Sequence, residues 1–318
     1  MRPSRAMAST SVPLAPAAAT RGPFRLAVGV LVVTLLTVVK GAMTTSTGSG
    51  LAFRDWPTSD GEFMPERSLH TVPGFLEHFH RLSGATVGLL SLGLALWLHF
   101  GRLGDRRVRT CAWLGGSLVL LQGVVGGTHV LKELPVVTGV VHATLAQLTF
   151  GMFAWIAYQL TDRYRATAPI TTMPAGAGRR LALIAMGILV VQTVLGAIAR
   201  HSNSSHALWT HVGNAFVVFL IGTIATAFAI GRLGAAPGIT AVSRWIVGLL
   251  VVQIALGFVV LAIRPAAGKK PENVGNLLNA GVISVHVVIG ALLTMLVALL
   301  AAHVFRATRR DTTAQGVA

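Results

Sequence analysis

The sequence predicts an all-α polytopic membrane protein whose eight transmembrane helices form two tandem four-helix bundles, related by a pseudo-twofold axis along the membrane normal. Three observations support this prediction. The 318-residue chain is 53% hydrophobic and only 11% charged, and its mean hydropathy of +0.70 is too apolar for an ordinary soluble protein. Eight apolar runs are long enough to cross a bilayer. The last four runs repeat the residue pattern of the first four.

A spanning helix needs about 20 mostly apolar residues. The runs that meet this requirement lie, in chain order, at 24–42, 74–100, 110–131, 139–161, 181–199, 209–232, 243–265 and 280–304. The first run follows basic residues and precedes small ones, so a cleaved signal peptide is an alternative for it. The repeat favours a spanning helix, because the run at 181–199 is its counterpart.

The segments outside the runs are expected to be tails and loops. Residues 1–22 are rich in Ala, Pro, Ser and Thr, which predicts a disordered cytoplasmic tail. We expect the N-terminal half at 23–165, a cytoplasmic linker at 166–180, the C-terminal half at 181–306 and a second cytoplasmic tail at 307–318.

Basic residues fall mainly on one side of the predicted membrane. Of the 26 Lys and Arg residues, 17 lie in the tails and in the loops that follow the second, fourth and sixth runs. Positive loops tend to stay cytoplasmic, so we expect a multi-pass cell-membrane protein with both termini in the cytoplasm. The net charge of +16 does not indicate a nucleic-acid partner, because the basic residues are spread over short loops. Cys111 is the only cysteine, which excludes an internal disulfide and a thiolate metal cluster.

The chain repeats itself with the order of its elements preserved. Three pairs of identical residues are each 131 positions apart: His80 and His211, Gln122 and Gln253, and Gly126 and Gly257. His142 and His286 are 144 positions apart, and Gly41 and Gly196 are 155 apart, because the loops differ in length. Both halves begin on the cytoplasmic side, so this is a parallel repeat of a kind that some transporters also contain, and transport remains an open alternative.

Four of the eleven histidines lie near the external ends of the even-numbered runs: His80, His142, His211 and His286. Each follows the start of its helix by a few residues, so a rise of about 1.5 Å per residue places all four about 5–10 Å below the surface. Two imidazoles in each half are what one haem iron needs on its two faces. Zinc fits less well, because it prefers three or four ligands and no third ligand is evident.

The residue four positions after each of these histidines is small: Gly84, Ala146, Ala215 and Gly290. Positions i and i+4 share a helix face, so a flat porphyrin could lie beside each histidine, with Gly88 extending the space on the second run. The alternative is that the small residues serve helix packing and that each histidine makes an interhelical hydrogen bond. Four occurrences in symmetric pairs favour the haem interpretation.

The other histidines are not expected to ligate a metal. His70, His201 and His206 fall in predicted external loops, His78 points away from His80, and His99 and His303 lie near the cytoplasmic boundary. His129 ends the third run, and together with His206 it lies close enough to the external face to contact a ligand histidine.

An acid stands beside the histidine in only one half. Glu77 precedes His80 by three positions and shares its helix face, whereas the counterpart of Glu77 is Leu208. This asymmetry suits a reaction at one haem and electron transfer at the other. The alternative is an ordinary i,i+4 ion pair between Glu77 and Arg81.

The first external loop and the second run resemble those of haem A synthases. The matching residues are Thr47-Gly48-Ser49-Gly50-Leu51-Ala52, Asp55-Trp56-Pro57, Gly61 and Glu77-His78-Phe79-His80-Arg81. The four histidines and the duplication are also similar to that family, so the resemblance covers residues 24–304. It departs from the family at Phe53 and Ser59, where many members carry cysteines, and this puts the electron exit route in doubt.

The resemblance implies a two-step oxidation of the methyl group of haem O to the formyl group of haem A, with haem b accepting electrons. His80 and His142 would flank the substrate haem, and Glu77 would accept a proton or stabilise positive charge near the reacting methyl. The residues implied to hold haem b are His211 and His286, with Ala215 and Gly290 beside them. Arg81, Arg200 and Arg264 are candidates for pairing with haem propionates.

The expected partners are haem O, membrane lipid, a haem O synthase that delivers the substrate, and an electron acceptor; the sequence leaves an oligomer open. Two other functions compete with the synthase. One is a di-haem b-type membrane cytochrome that only transfers electrons, and the other is a haem-binding transport or assembly protein without catalysis. The unmatched Glu77 and the first-loop resemblance favour the enzyme.

Overall fold

The computed structural model describes residues 17–167, 170, 175–202, 204–264 and 277–308. Over these ranges the chain forms ten helices, and eight of them are long and apolar enough to cross a membrane. The eight long helices are α1 (Ala17–Ser46), α3 (Val72–Phe100), α4 (Arg106–Leu131), α5 (Val136–Gln159), α7 (Ala175–His201), α8 (Ser205–Leu233), α9 (Ile239–Ile263) and α10 (Leu277–Ala307). The prediction of eight spanning helices is confirmed.

Two helices are short and lie between spans. They are α2 (Arg67–His70), in the loop before α3, and α6 (Asp162–Ala166), after α5. Polar side chains start several long helices: Thr71 accepts a hydrogen bond from the N–H of Gly74, and Asp105 accepts one from the N–H of Val108. Such caps satisfy N–H groups that have no partner within the helix.

Several helices extend beyond the predicted apolar runs. Residues 17–22, which were expected in the tail, belong to α1, and residues 175–180, which were expected in the linker, begin α7. Hydropathy marks only the apolar part of a helix, whereas backbone hydrogen bonding continues into its polar ends. The rest of the expected N-terminal tail, at 1–16, and residues 309–318 of the second tail lie outside the described residues.

The helices pack as two groups of four. In the first, α3 packs on α1 and α4, and α5 packs on α4; in the second, α8 packs on α7 and α9, and α10 packs on α9. Helices α1 and α5 of the first group contact α7 and α10 of the second. Each group has its own apolar core, which includes Leu94, Phe153 and Ile156 in the first group, and Ile246 and Leu293 in the second.

Both cores lie away from the histidines. We define the outer end of the molecule as the end at which α1, α4, α7 and α9 finish. The core residues Leu94 and Phe153 lie far along α3 and α5, which start at the outer end, whereas His80 and His142 lie near the starts of those helices. The buried apolar cluster of each half therefore lies toward its inner end, and the histidines lie toward the outer end.

Candidate functional site

The four histidines that the sequence singled out meet in two pairs, one in each half. His80 of α3 faces His142 of α5, with ring centroids 6.3 Å apart and ring planes at 82°. His211 of α8 faces His286 of α10, with centroids 6.5 Å apart and planes at 80°. The two halves thus contain nearly the same arrangement of imidazoles.

The spacing of each pair fits a single metal ion between the rings. A metal–imidazole bond of about 2 Å on each side, plus about 1 Å from nitrogen to ring centre, separates the centroids by about 6 Å. Within the described ranges, no group of three or more His, Cys, Asp or Glu residues could hold a metal ion. Each pair therefore offers two protein ligands, which is the number that a bis-histidine haem iron takes.

Each of the four rings packs against a glycine on the preceding spanning helix. The contacts are Gly41 with His80, Gly126 with His142, Gly196 with His211, and Gly257 with His286. A Cβ atom would lie 2.6, 2.9, 2.8 and 3.4 Å, respectively, from Cε1 of the ring. At the first three positions a larger residue would have to displace the imidazole. These glycines served as markers of the repeat in the sequence, and their contact with the rings emerges only in three dimensions.

Backbone carbonyls orient the first histidine of each pair. Nδ1 of His80 lies 3.0 Å from the carbonyl oxygen of Thr37, and Nδ1 of His211 lies 3.1 Å from that of Gln192. A carbonyl only accepts, so Nδ1 donates its proton and Nε2 keeps a lone pair for a metal. The two carbonyl residues are 155 positions apart, the offset already seen for the glycines of α1 and α7.

A glutamine contacts the second histidine of each pair. Nε2 of Gln122 donates to the carbonyl of His142 at 3.1 Å, and Nε2 of Gln253 donates to that of His286 at 3.0 Å. In both halves, Nδ1 of the histidine and Oε1 of the glutamine are buried without a hydrogen-bond partner. Buried polar groups are usually satisfied, so the same exception in both halves fits a site that a bound group completes.

The space beside the histidines differs from one ring to another. A Cβ atom on Gly84 would meet nothing within 4 Å, and one on Gly88 would meet only Val119, at 3.8 Å. A Cβ atom on Gly290 would lie 3.3 Å from Nε2 of Gln253. Ala146 and Ala215, the other two small residues, are half-buried. The flank of His80 is therefore open at Gly84, whereas the side chain of Gln253 narrows the flank of His286.

Glu77 is 3% exposed, and both oxygens of its carboxylate accept hydrogen bonds. Oε1 accepts one from the Arg81 guanidinium, and Oε2 accepts one from the backbone N–H of Phe53 at 3.1 Å. The i,i+4 ion pair that the sequence offered as an alternative role is therefore formed. Glu77 ties the loop between α1 and α3, which is the predicted first external loop, to α3. Leu208 cannot make this contact in the second half.

Arg81 fastens the first external loop at several points. Its guanidinium donates to the carbonyl oxygens of Phe53, Asp55 and Thr58 at 3.0, 2.7 and 2.6 Å. The ring of Trp56, in the same loop, lies against Gly127 of α4, where a Cβ atom would be 2.5 Å from the indole. The loop is thus held over the two helices that carry His80 and Gly126.

The two loop positions at which the sequence departs from the family resemblance both contact His78. Phe53 and Ser59 are buried, Oγ of Ser59 lies 3.0 Å from Nδ1 of His78, and the rings of Phe53 and His78 meet edge to face at 6.0 Å. Packing and a hydrogen bond therefore connect these loop positions to α3 without a thiol.

Asp55 organises the tip of this loop, outside the spanning helices. Burial opposes ionisation of its carboxyl group, but the N–H of Gly61, the hydroxyl of Thr58 and the N–H of Asp60 all donate to it. The hydrogen bonds outweigh burial and lower the pKa of Asp55 to about 2.

Two of the three arginines that were candidates for pairing with haem propionates already bind other groups of the protein. Arg81 binds the loop, and Arg200 donates to the carbonyl of Ala42 and to Oγ of Ser46, while Arg264 follows the end of α9.

Three histidines that were expected in loops lie in helices. They are His70, which ends α2, His201, which ends α7, and His206, in the first turn of α8. Helices that extend past their apolar runs explain His201 and His206, whereas His70 lies in a short helix within the loop.

One polar bridge between the halves was missed in the sequence. Oε1 of Gln147, on α5, accepts hydrogen bonds from the hydroxyls of Thr193 on α7 and Thr294 on α10, at 3.3 and 3.1 Å. A glutamine within an apolar run was the available signal, since a polar side chain at that depth needs a partner.

Comparison with known proteins decides the family. A family model described as "Cytochrome oxidase assembly protein" matches residues 24–218. A protein of Symbiobacterium thermophilum named "Heme A synthase" is 30% identical over 219 residues, which cover 67% of this chain and 70% of that protein. This chain belongs to the haem A synthase family. The predicted family is thereby confirmed, and with it an enzyme of haem A biosynthesis whose reaction is an oxidation.

Other relatives with the same name match shorter stretches. One from Methylobacterium sp. (strain 4-46) is 33% identical over 132 residues, or 38% of this chain and 36% of that protein. One from Bacillus licheniformis is 25% identical over 178 residues, or 54% of this chain and 57% of that protein. The residues matched by the family model include Glu77, His80, His142 and His211.

Proposed function

We propose that this chain oxidises the methyl group of haem O to the formyl group of haem A in its N-terminal half, and that a haem b in its C-terminal half accepts the electrons. The change is R–CH3 + H2O → R–CHO + 4 H+ + 4 e−, so water supplies the oxygen atom, and the electrons pass one at a time through haem b to the electron acceptor. His80 and His142 flank the substrate haem, and His211 and His286 ligate haem b. The observation that carries the proposal is the repetition of one imidazole pair in both halves, with similar ring spacings. Two matched sites with an acid beside only one suit a reaction at the first and electron transfer at the second.

The open space beside His80 is compatible with a substrate site. A substrate must enter and leave, and the flank of His80 is open at Gly84.

The haem groups supply the redox chemistry when bound, and the protein supplies orientation and electrostatics. The carbonyls of Thr37 and Gln192 fix the rings of His80 and His211, so Nε2 of each histidine points its lone pair in a set direction. Arg81 and the Phe53 N–H hold the Glu77 carboxylate still. Each carboxylate oxygen has a second lone pair, so Glu77 can accept a proton from the reacting methyl or stabilise positive charge there.

The test is to purify the protein from cells that also make haem O and to identify the extracted haems. We expect haem b together with hydroxylated or formylated haem. His80→Ala should abolish the oxidised products and keep haem b, whereas His211→Ala should lose haem b. Haem b without any oxidised product in the parent protein would overturn the proposal.

We further propose that the protein lies in the cell membrane with both termini in the cytoplasm. The bias of Lys and Arg supports this orientation. An alkaline phosphatase fused to the C-terminus should be inactive, and the same enzyme inserted in the loop between α9 and α10 should be active. The opposite result would reverse the orientation. A membrane-bound haem O synthase is the expected supplier of so insoluble a substrate.

A further inference from the structure

A third pair of histidines lies between the two halves at the outer end. His129 near the end of α4 and His201 at the end of α7 have ring centroids 5.9 Å apart and planes at 89°. These values are close to those of the two pairs assigned to haem. The proposed reaction uses neither residue.

The duplication does not account for this pair. The position 131 residues after His129 is Val260, and the position 155 residues before His201 is Ser46. A pair of imidazoles therefore cannot form at the positions that the repeat relates to His129 and His201. Ser46 instead contacts Ser284 of α10, with the two hydroxyl oxygens 3.1 Å apart.

Both rings rest on one glycine of α5. A Cβ atom on Gly139 would lie 2.8 Å from Nδ1 of His201 and 3.0 Å from Cε1 of His129. In the haem pairs, by contrast, the two rings rest on glycines of different helices. The backbone of α5 therefore blocks one side of the space between the rings of His129 and His201. That space has room for an ion but not for a macrocycle.

A hydrogen-bond chain sets the tautomer of His129. The hydroxyl of Thr138 donates its one proton to the carbonyl of Pro135 at 3.0 Å, so it accepts from Nδ1 of His129 at 2.8 Å. Nε2 of His129 therefore carries a free lone pair. A hydrogen bond from the other ring nitrogen is the usual companion of a metal-binding histidine.

Charges of both signs lie around the pair. The C-terminal ends of α4 and α7 meet here, and helix C-termini carry partial negative charge, which favours a cation. Arg200, next to His201, directs its guanidinium to α1 and repels a cation. Attraction and repulsion are both proportional to the charge of the ion, so the number of ligands distinguishes one cation from another here.

We propose that His129 and His201 bind one copper(I) ion. Imidazole is a good copper ligand, and copper(I) can be held by two ligands, whereas zinc in proteins usually takes four. The described residues place no third His, Cys, Asp or Glu with this pair in a metal-binding group. The ion joins α4 of the N-terminal half to α7 of the C-terminal half, so its binding also stabilises the contact between the halves.

The test measures copper, so its result is independent of the proposed reaction. Purified, chelator-washed protein is titrated with copper(I) against a chromogenic copper(I) chelator under reducing conditions, and bound metal is counted by mass spectrometry. We expect one copper ion per chain in addition to haem iron, and a higher midpoint of thermal unfolding when copper is present. His129→Ala and His201→Ala should bind copper at least tenfold more weakly.

His206→Ala is the matched control, because His206 is an exposed histidine near the same end of the molecule, and it should bind copper like the parent. The haem b spectrum of each variant reports whether the fold is intact, and His129→Gln and His201→Gln provide milder replacements if either alanine variant loses haem b. The proposal is overturned if the parent takes up no copper(I), if the His129 and His201 variants bind it like the parent, or if zinc binds more tightly than copper(I).

Discussion

Gly196 of α7 lies so close to His211 of α8 that a Cβ atom on the glycine would be 2.8 Å from Cε1 of the ring. The same relationship between a glycine and an imidazole recurs at the other three histidines of the two pairs. A methyl group at Gly41, Gly126 or Gly196 must shift the ring, and with it the direction in which Nε2 offers its lone pair. The glycines therefore provide substitutions that separate the two proposed haem sites.

Gly196→Ala should lower the haem b content of the purified protein about fivefold or more. Overpacking costs about 1–3 kcal/mol, and about 1.4 kcal/mol corresponds to a tenfold change in affinity. Gly187→Ala is the control on the same helix, because a Cβ atom there would meet nothing within 4 Å. Full haem b content in the Gly196 variant would contradict the assignment of His211 as a ligand.

Gly126→Ala should impair the proposed substrate site and leave the haem b site intact. A Cβ atom at Gly126 would be 2.9 Å from Cε1 of His142, which belongs to the proposed substrate site. We expect loss of oxidised haem with the haem b spectrum unchanged, measured on the same preparation. Gly123→Ala, in an open position on the same helix, should behave like the parent. If the Gly126 variant loses haem b instead, the roles of the two halves are reversed.

Gly84→Leu should block the substrate haem by filling the open flank of His80. The new side chain would extend into space in which a Cβ atom meets no neighbour, so the fold should tolerate it. Product formation should fall at least tenfold while haem b is retained. Gly93→Leu, also in an open position but toward the inner end of α3, is the control for added bulk. Equal product formation by both variants would mean that the substrate lies elsewhere.

Glu77→Gln should lower product formation by about a hundredfold, the usual contribution of a general acid or base, without loss of haem b. The amide keeps an acceptor for the Phe53 N–H but cannot take a proton at neutral pH. Glu62→Gln, at an exposed acid of the same loop, is the matched control. Normal activity of the Glu77 variant would leave the ion pair with Arg81 as the role of this residue, and loss of haem b would mean that its role is misassigned.

The first external loop should loosen at acid pH as Asp55 becomes protonated. Because the pKa of Asp55 is lowered from 3.8 to about 2, its contribution to the loop is complete above pH 3.8 and disappears as the pH falls through 2. Hydrogen exchange of residues 55–61 should therefore be protected at pH 5 and lose protection between pH 4 and pH 2, after correction for the intrinsic rate. Asp55→Asn should show weaker protection at pH 5, and an unchanged pattern would contradict this role.

Several features of the site were predictable from the sequence because they repeat. The four histidines and the two glutamines recur in the same order at offsets of 131 or 144 residues, and the structure brings the histidines together in the pairs that the two halves suggest. The contact between His129 and His201 was not predictable. It has no counterpart in the repeat, and hydropathy assigned His201 to a loop because the apolar run ends before the helix does.

The sequence alone determined the number of spanning helices, their order, and which residues recur in the two halves, because hydropathy and internal repetition are properties of the chain that need no packing. Only the tertiary structure decided which ring faces which glycine, that Arg81 binds three loop carbonyls, and that Gly139 accommodates two imidazoles. These contacts depend on the rotation of each helix about its own axis and on how closely two backbones approach. Many rotations would satisfy the same hydropathy pattern, and close packing at the glycines selects among them.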